Sequence, residues 1–440
     1  MTSKELLSSA KDVLALNDHG TWTQPAPAIY PNQWLWDSCF IAIGLCHYNP
    51  ERAIREMRTL FAGQWQNGMV PHQVFHSHDY RSGARTWQSD LSPLAPPTTA
   101  TSGITQPPLL AEAIWRIGEK LSPIKRKKLF EEFFPKLVAH HEWLYRERNP
   151  HGEGLVLLVH PWESGMDDSP PWVDELRYHH TPLWISTIEK LRVHRLLDVL
   201  RQDVQQSGLQ NRMSTLDALR LFDVVRRMKR KKYESNQILR RALFSIEDLC
   251  FNSILIRNNA ILQDISRSIR TPLPKELRSQ FTKATKALET LWDPISEQYF
   301  SRNFSTGEFL ANPTVATLLP LYSRAISPER AKQLVATLND KAAYATPYAL
   351  PTVPKSSTRF RETHYWQGPV WLNINWLIID GLTYYGFTKE AALLRKKSIA
   401  MIKKSGFREY FSPIDGHGAG AADFAWTAAL TIDLLENKKQ

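Results

Sequence analysis

Apolar positions recur every three to four residues along most of the chain. In residues 49–61 (NPERAIREMRTLF), Ile54, Met57 and Phe61 fall on one helical face. Asn49 can cap that helix, and Pro50 suits its first turn, where a missing N–H leaves no hydrogen bond unmade. Residues 327–338 (SPERAKQLVATL) repeat the device: Ser327 caps, Pro328 follows, and Ala331, Leu334, Val335 and Leu338 form an i, i+3, i+4, i+7 stripe. Leu110, Ile114 and Ile117 share a face in residues 107–121, and the segments 248–262 and 364–382 also read as helix. Strand alternation is confined to scraps such as GLVLLV, residues 154–159, too few for a central sheet.

This pattern predicts an all-α chain of helical hairpins arranged around an axis, with polar loops at the helix ends where a pocket would form. The least regular stretch, about 170–245, reads as an inserted cap over that pocket. It contains the basic run RRMKRKK at 226–232, which holds no aromatic residue able to stack on a base and is expected to be a solvated face.

Composition narrows the function classes. The net charge of +11 raises nucleic acid as a partner, but the basic residues lack aromatic company, and none is expected. No run of about 18 apolar residues occurs, so no membrane span is expected. Three cysteines with no CxxC spacing argue against disulfides and zinc and for a cytoplasmic setting. Fourteen histidines include pairs at 140–141 and 179–180, without the carboxylate company of a metal site. There is no phosphate-binding glycine motif, so neither metal nor cofactor is expected. Fifteen tryptophans, several beside Asp, Glu, Gln and Asn, suit a small carbohydrate, whose C–H faces pack on indole while its hydroxyls need polar partners.

Three segments carry candidate chemistry. In residues 160–172 (HPWESGMDDSPPW), Glu163, Asp167 and Asp168 lie among Trp162, Met166 and Trp172, where burial and mutual repulsion could keep one carboxyl protonated; an exposed acidic turn is the alternative. Glu409, flanked by Phe407, Tyr410 and Phe411 and followed by a glycine-rich loop, could hold a water over a pocket or pair with a neighbouring cation. In residues 30–40 (YPNQWLWDSCF), Tyr30, Trp34, Trp36 and Asp37 could form a sugar platform, unless Asp37 merely caps a helix beginning at Ser38. Glycoside cleavage by inversion needs two such carboxyl groups, an acid and a base, on opposite faces of the bond.

In this order, YPNQWLWDS, GQWQNGMVPH, GITQPP, HPWESGMDDSP, DLCFNSIL, HYWQGPVWLNIN, FREYFSPIDG and DFAWTAAL resemble glycoside hydrolase family 63 and its bacterial mannosylglycerate and glucosylglycerate hydrolase relatives. The likeness runs from Tyr30 to Leu430. It implies a single (α/α)6 catalytic domain over residues 1–440, and inverting hydrolysis of a short α-glucoside or α-mannoside. It further implies that Asp167 is the general acid and Glu409 the general base. Asp37, Tyr30, Trp34, Trp36, Gln106, Tyr365, Trp366, Gly368 and Trp371 match sugar-subsite positions, and Glu163 joins the substrate-binding set.

The chain departs from the pattern twice. Gln367 stands where many members carry Arg. Arg212-Met213 stands where the glycerate-active relatives have Arg-Pro followed by a Tyr, which argues against glycerate as the aglycone. A trehalase or oligosaccharide α-glucosidase on the same barrel, and a non-catalytic sugar-binding helical protein, are the competing expectations. Oligomeric state is left open.

Overall fold

The computed structural model describes residues 1–76, 83–179, 181–201, 204–205, 208 and 211–437. Six helices form a closed inner ring: Leu35–Leu45, Leu110–Glu119, Leu249–Ile269, Pro320–Ser323, Leu372–Tyr384 and Ala425–Glu436. Each packs on the next, and the last packs on the first. Around them stand Pro50–Ala62, Pro123–Glu147, Lys275–Ala287, Pro328–Asn339, Thr388–Ser405 and Ser3–Leu16. The arrangement is the (α/α)6 barrel expected.

Ring position explains composition. An inner helix touches two neighbours, an outer helix and the barrel axis, so it is buried on every side and largely apolar. All of Leu35–Leu45 is buried, as is Ala425–Glu436 through Leu434. Outer helices bury only a stripe: Ala331, Leu334, Val335 and Leu338 in one, Ala53, Ile54, Met57, Leu60 and Phe61 in another. The expected caps form, Asn49 accepting from the Arg52 N–H and Ser327 from the Arg330 N–H. Among the described residues the strands are two residues long; GLVLLV contributes Leu157–Leu158, paired with Ile246–Glu247.

Between residues 170 and 245 the chain forms Pro170–His179, Leu183–Lys190, His194–Leu200, Thr215–Arg230 and Ser235–Leu239, with Thr215–Arg230 packed against the three before it. The basic run ends that helix and enters the following turn. It is not simply a solvated face: Arg226 and Arg227 fold back onto the buried Asp223 at 2.6 and 2.8 Å. A carboxylate buried one turn earlier draws them in, and cations also suit a helix C-terminus. Among the described residues no helix is long and apolar enough to cross a membrane.

Candidate active site

The cavity opens at the N-terminal ends of three inner helices. Trp36 and Asp37 occupy the first turn of Leu35–Leu45, Trp371 immediately precedes Leu372–Tyr384, and Trp426 opens Ala425–Glu436. The helix starts at Leu35, so Asp37 is not its cap; Trp34 holds that place. An inner recess of about 60 Å³ is lined by Tyr30, Trp34, Trp36, Asp37, His72, Gln106, Asp167, Tyr365, Trp366, Trp371, Glu409, Phe424 and Trp426, with Pro25 and Gly165. It shares Tyr30, Trp34, His72, Asp167 and Tyr365 with an outer chamber of about 690 Å³, walled by Trp87, Trp162, Phe222, Arg201 and Arg212 among others.

Two turns present the acids. After the 3-10 helix Pro161–Ser164 the chain reverses at Gly165, whose φ of 72° favours glycine and whose hydrogen faces the Trp36 ring; a Cβ there would stand 2.5 Å from that ring. The reversal sends Asp167 into the recess. Asp168 points elsewhere, its carboxylate 3.0 Å from His364 Nε2, while Gln367 donates to its backbone carbonyl at 3.1 Å. Glu409 precedes the Tyr410–Phe411 strand, and the glycine-rich loop returns against it: the Ala421 N–H donates to Oε2 at 2.9 Å, and a Cβ on Gly420 would meet the same oxygen at 2.5 Å.

The electrostatics of the two carboxyls differ. Burial pushes Asp167 up to about 7, against the Tyr365 hydroxyl that donates to it at 3.3 Å, with the charges of Asp168 and Glu409 adding to the rise. Asp167 therefore holds its proton at near-neutral pH, as a general acid requires. Asp37 is pushed well above the carboxylate range by burial and then by Glu409, Asp167 and Glu56. Glu409 is met by a cation instead: Arg212 Nη2 lies 2.5 Å from Oε2 and Nη1 3.2 Å from Oε1, and the Tyr30 hydroxyl donates to Oε1 at 2.8 Å.

Aromatic rings set the floor. Trp366 and Trp371 stack at 3.8 Å and 7°, and Trp36 meets Trp426 edge-on at 5.4 Å. Trp371 Nε1 donates to the Tyr365 carbonyl at 2.8 Å, fixing Tyr365 at a φ of 38°, a left-handed backbone that a bulky residue adopts only under such constraint. Gln106 Oε1 accepts from the Trp36 N–H at 3.4 Å.

Two expected subsite residues fall outside the walls. Glu163 is turned away, accepting from Arg148 at 3.0 Å and from the Val159 N–H at 2.7 Å. A buried arginine and backbone donors of the turn claim its carboxylate before a sugar could. Gly368 packs against the backbone of Arg361, whose carbonyl oxygen a Cβ would meet at 2.1 Å; its role is close approach of two loop strands. His140 and His141 are core residues, the first accepting from the Val70 N–H and the second bonded to Asn259.

Arg212 is the site residue that sequence reasoning weighed least. It lies in an irregular segment with no periodicity, and nothing local to it signals a contact with Glu409, 197 residues away. Trp426 and His72 were visible only as parts of the DFAWTAAL and GQWQNGMVPH segments.

Comparison with known proteins identifies the family. The family described as the mannosylglycerate hydrolase MGH1-like glycoside hydrolase domain matches residues 30–427. Mannosylglycerate hydrolase of Thermus thermophilus is 38% identical over 96% of this chain and 99% of its own. Glucosylglycerate hydrolase of Mycolicibacterium hassiacum is 31% identical over 99% and 98%. A crystal structure of the family 63 mannosylglycerate hydrolase from Thermus thermophilus, in complex with Tris and D-glycerate, superposes with a TM-score of 0.87 at 36% identity, covering 97% of this chain and 99% of that one. A neutral trehalase from Saccharomyces cerevisiae, at 14% identity and a TM-score of 0.56, shares the fold.

Proposed function

The chain belongs to the mannosylglycerate hydrolase MGH1-like glycoside hydrolases, enzymes acting on O-glycosyl bonds, and from that premise we propose that it hydrolyses the α-glycoside of glycerate, mannosyl or glucosyl at the cleaved position, with inversion. The observation that carries this reading is the pairing, in the lining of one buried recess, of an acid raised to about 7 with a second carboxylate, Glu409. Asp167 gives its proton to the glycosidic oxygen as the C1–O bond breaks. Glu409 takes a proton from the water that attacks C1 from the opposite face, so an α-glycoside yields the β-sugar. Asp37 and Gln106 face the sugar hydroxyls, and the tryptophan floor meets its C–H faces.

Arg212 supports glycerate as the aglycone despite the departure in its sequence neighbourhood. Its guanidinium reaches the wall that the outer chamber shares with Asp167, where a leaving group must lie, and presents planar donors suited to a carboxylate. On this reading residues 170–245 act as the cap that delivers Arg212, and the chain works as one catalytic unit. The buried free thiols of Cys39, Cys46 and Cys250 support a cytoplasmic setting. A product screen over mannosylglycerate, glucosylglycerate, trehalose and neutral disaccharides tests the assignment: release of glycerate with kcat/KM far above the rest is expected, and preference for trehalose would overturn it.

A further inference from the structure

Glu409 has no oxygen to spare. Oε1 accepts from the Tyr30 hydroxyl and Arg212 Nη1, and Oε2 accepts from Arg212 Nη2 and the Ala421 N–H. An ionised carboxylate offers about four lone-pair sites, and all are taken here. A general base needs one of them aimed at the attacking water. Tyr30 and Ala421 are fixed and neutral partners: the Ala421 amide is backbone, and the Tyr30 ring is wedged edge-on between Trp34 and Phe424. The charged side-chain partner is Arg212.

Arg212 itself is incompletely served. Its side chain is 3% exposed, yet Nε finds no hydrogen-bond acceptor among the described residues. Its guanidinium lies over the Tyr365 ring at 5.0 Å, on the wall of the outer chamber. The Nη–Nη edge is spent on Glu409, while the adjacent edge that carries Nε is buried without a partner. A buried donor left in this state costs free energy until an acceptor arrives.

We propose that Arg212 is a latch on the base, and that the carboxylate of the aglycone releases it. The inference rests on the glycerate reading above. An anion seated in the outer chamber takes the Nε edge and draws the guanidinium from Glu409. A new buried ion pair forms between Arg212 and the aglycone carboxylate, and Glu409 is left charged without its cation, which raises its affinity for a proton of the attacking water. Tyr30 and Ala421 keep Glu409 oriented, and the vacated lone pair turns to water. A neutral glycoside that fills the same recess leaves the latch closed. Selection for anionic aglycones is thus exerted on kcat as well as on KM, which a plain binding contact would not do.

The test uses wild-type enzyme and α-mannosyl and α-glucosyl fluoride, neutral substrates that vacate the aglycone site. D-glycerate added in trans is expected to raise kcat on the fluoride by about 10- to 100-fold, a part of the 10²–10⁴ that a positioned base supplies. Glycerol, the uncharged analogue, should not. Arg212→Met should raise the basal kcat on the fluoride and abolish the response to D-glycerate. If that variant fails to fold, the wild-type arm decides alone. No rise in kcat, whether D-glycerate binds by calorimetry or does not bind at all, would overturn the latch; so would an Arg212→Met enzyme as slow on the fluoride as Glu409→Gln. Turnover of the glycosylglycerates is measured alongside. Its absence with a carboxylate-stimulated fluoride reaction would reject the substrate reading and retain the latch.

Discussion

Toward the C-terminal ends of the inner helices, Asp380 and Asp433, together with Glu112 from the first turn of Leu110–Glu119, meet Arg116, Arg324, Arg257 and His47; at the N-terminal ends, Asp37, Asp167 and Glu409 meet a single arginine among the described residues, Arg212, already bound to Glu409. Both sets are buried. Asp433 is nonetheless held below the usual carboxylate range: burial pushes it up, but the His47 hydrogen bond at 2.7 Å, the Arg116 charge and the Trp376 N–H at 2.8 Å outweigh it. Asp167, with a tyrosine hydroxyl and two neighbouring acids, stands at about 7. Burial alone does not make a general acid; the supply of cations at each end of the ring does. On the proposed assignment the C-terminal end serves the fold, and the N-terminal end keeps its proton for chemistry.

The comparison breaks most visibly at Asp167. Asp167→Asn is expected to lower kcat on oxygen-linked glycosides by about 10²–10⁴ and to spare glycosyl fluorides, whose leaving group needs little acid. Its wild-type pH profile should fall as pH rises through about 7, where Asp167 loses its proton, and that limb should vanish in the variant. An unaltered alkaline limb in Asp167→Asn would assign it to another group.

The opposite end should fail by unfolding. Asp433→Ala leaves His47 and Trp376 unpaired and is expected to cost about 3–5 kcal/mol at pH 7 in urea denaturation, with the pH–rate profile of the surviving enzyme unchanged. Because the folded state lowers the proton affinity of Asp433, its contribution is present above about pH 4, the unfolded value, and is lost as pH falls through the folded one. A shifted rate profile with intact stability would reverse the roles assigned to the two ends.

The sign is opposite for Asp167. A raised carboxyl favours the fold while protonated, and that stability is lost between the unfolded value near 4 and the folded value of about 7. Asp167→Asn should therefore be more stable than wild type at pH 8 by up to about 4 kcal/mol, converging below pH 4. Equal stabilities at pH 8 would show that the acid carries no burial cost. The smallest effect belongs to the basic run: Lys229→Gln with Arg230→Gln should change stability by about 0.5 kcal/mol or less and leave turnover alone. Arg226→Gln with Arg227→Gln should cost more, since the buried Asp223 then loses both arginines.

Legibility in the sequence followed the range of the forces. The outer helices declare themselves by stripes and caps, because each buries one face, whereas the sixfold ring was implied by the resemblance to family 63, since no fixed period counts the hairpins. Trp36, Asp37, Asp167 and Glu409 stood out because aromatic and acidic residues were crowded locally. Glu163 was drawn into the same set by proximity alone, and only the fold shows Arg148 taking its carboxylate. Arg212 reaches Glu409 from the segment 170–245, a contact that no spacing encodes.

The central claim, that Asp167 and Glu409 act as acid and base across the glycosidic bond, is tested most directly by proton NMR of the anomeric region in the first minutes of hydrolysis of an α-glycosylglycerate. The account predicts that the β-sugar appears first and the α-anomer only by mutarotation. An initial α-anomer would contradict it, requiring Glu409 to bond to the sugar instead of activating water.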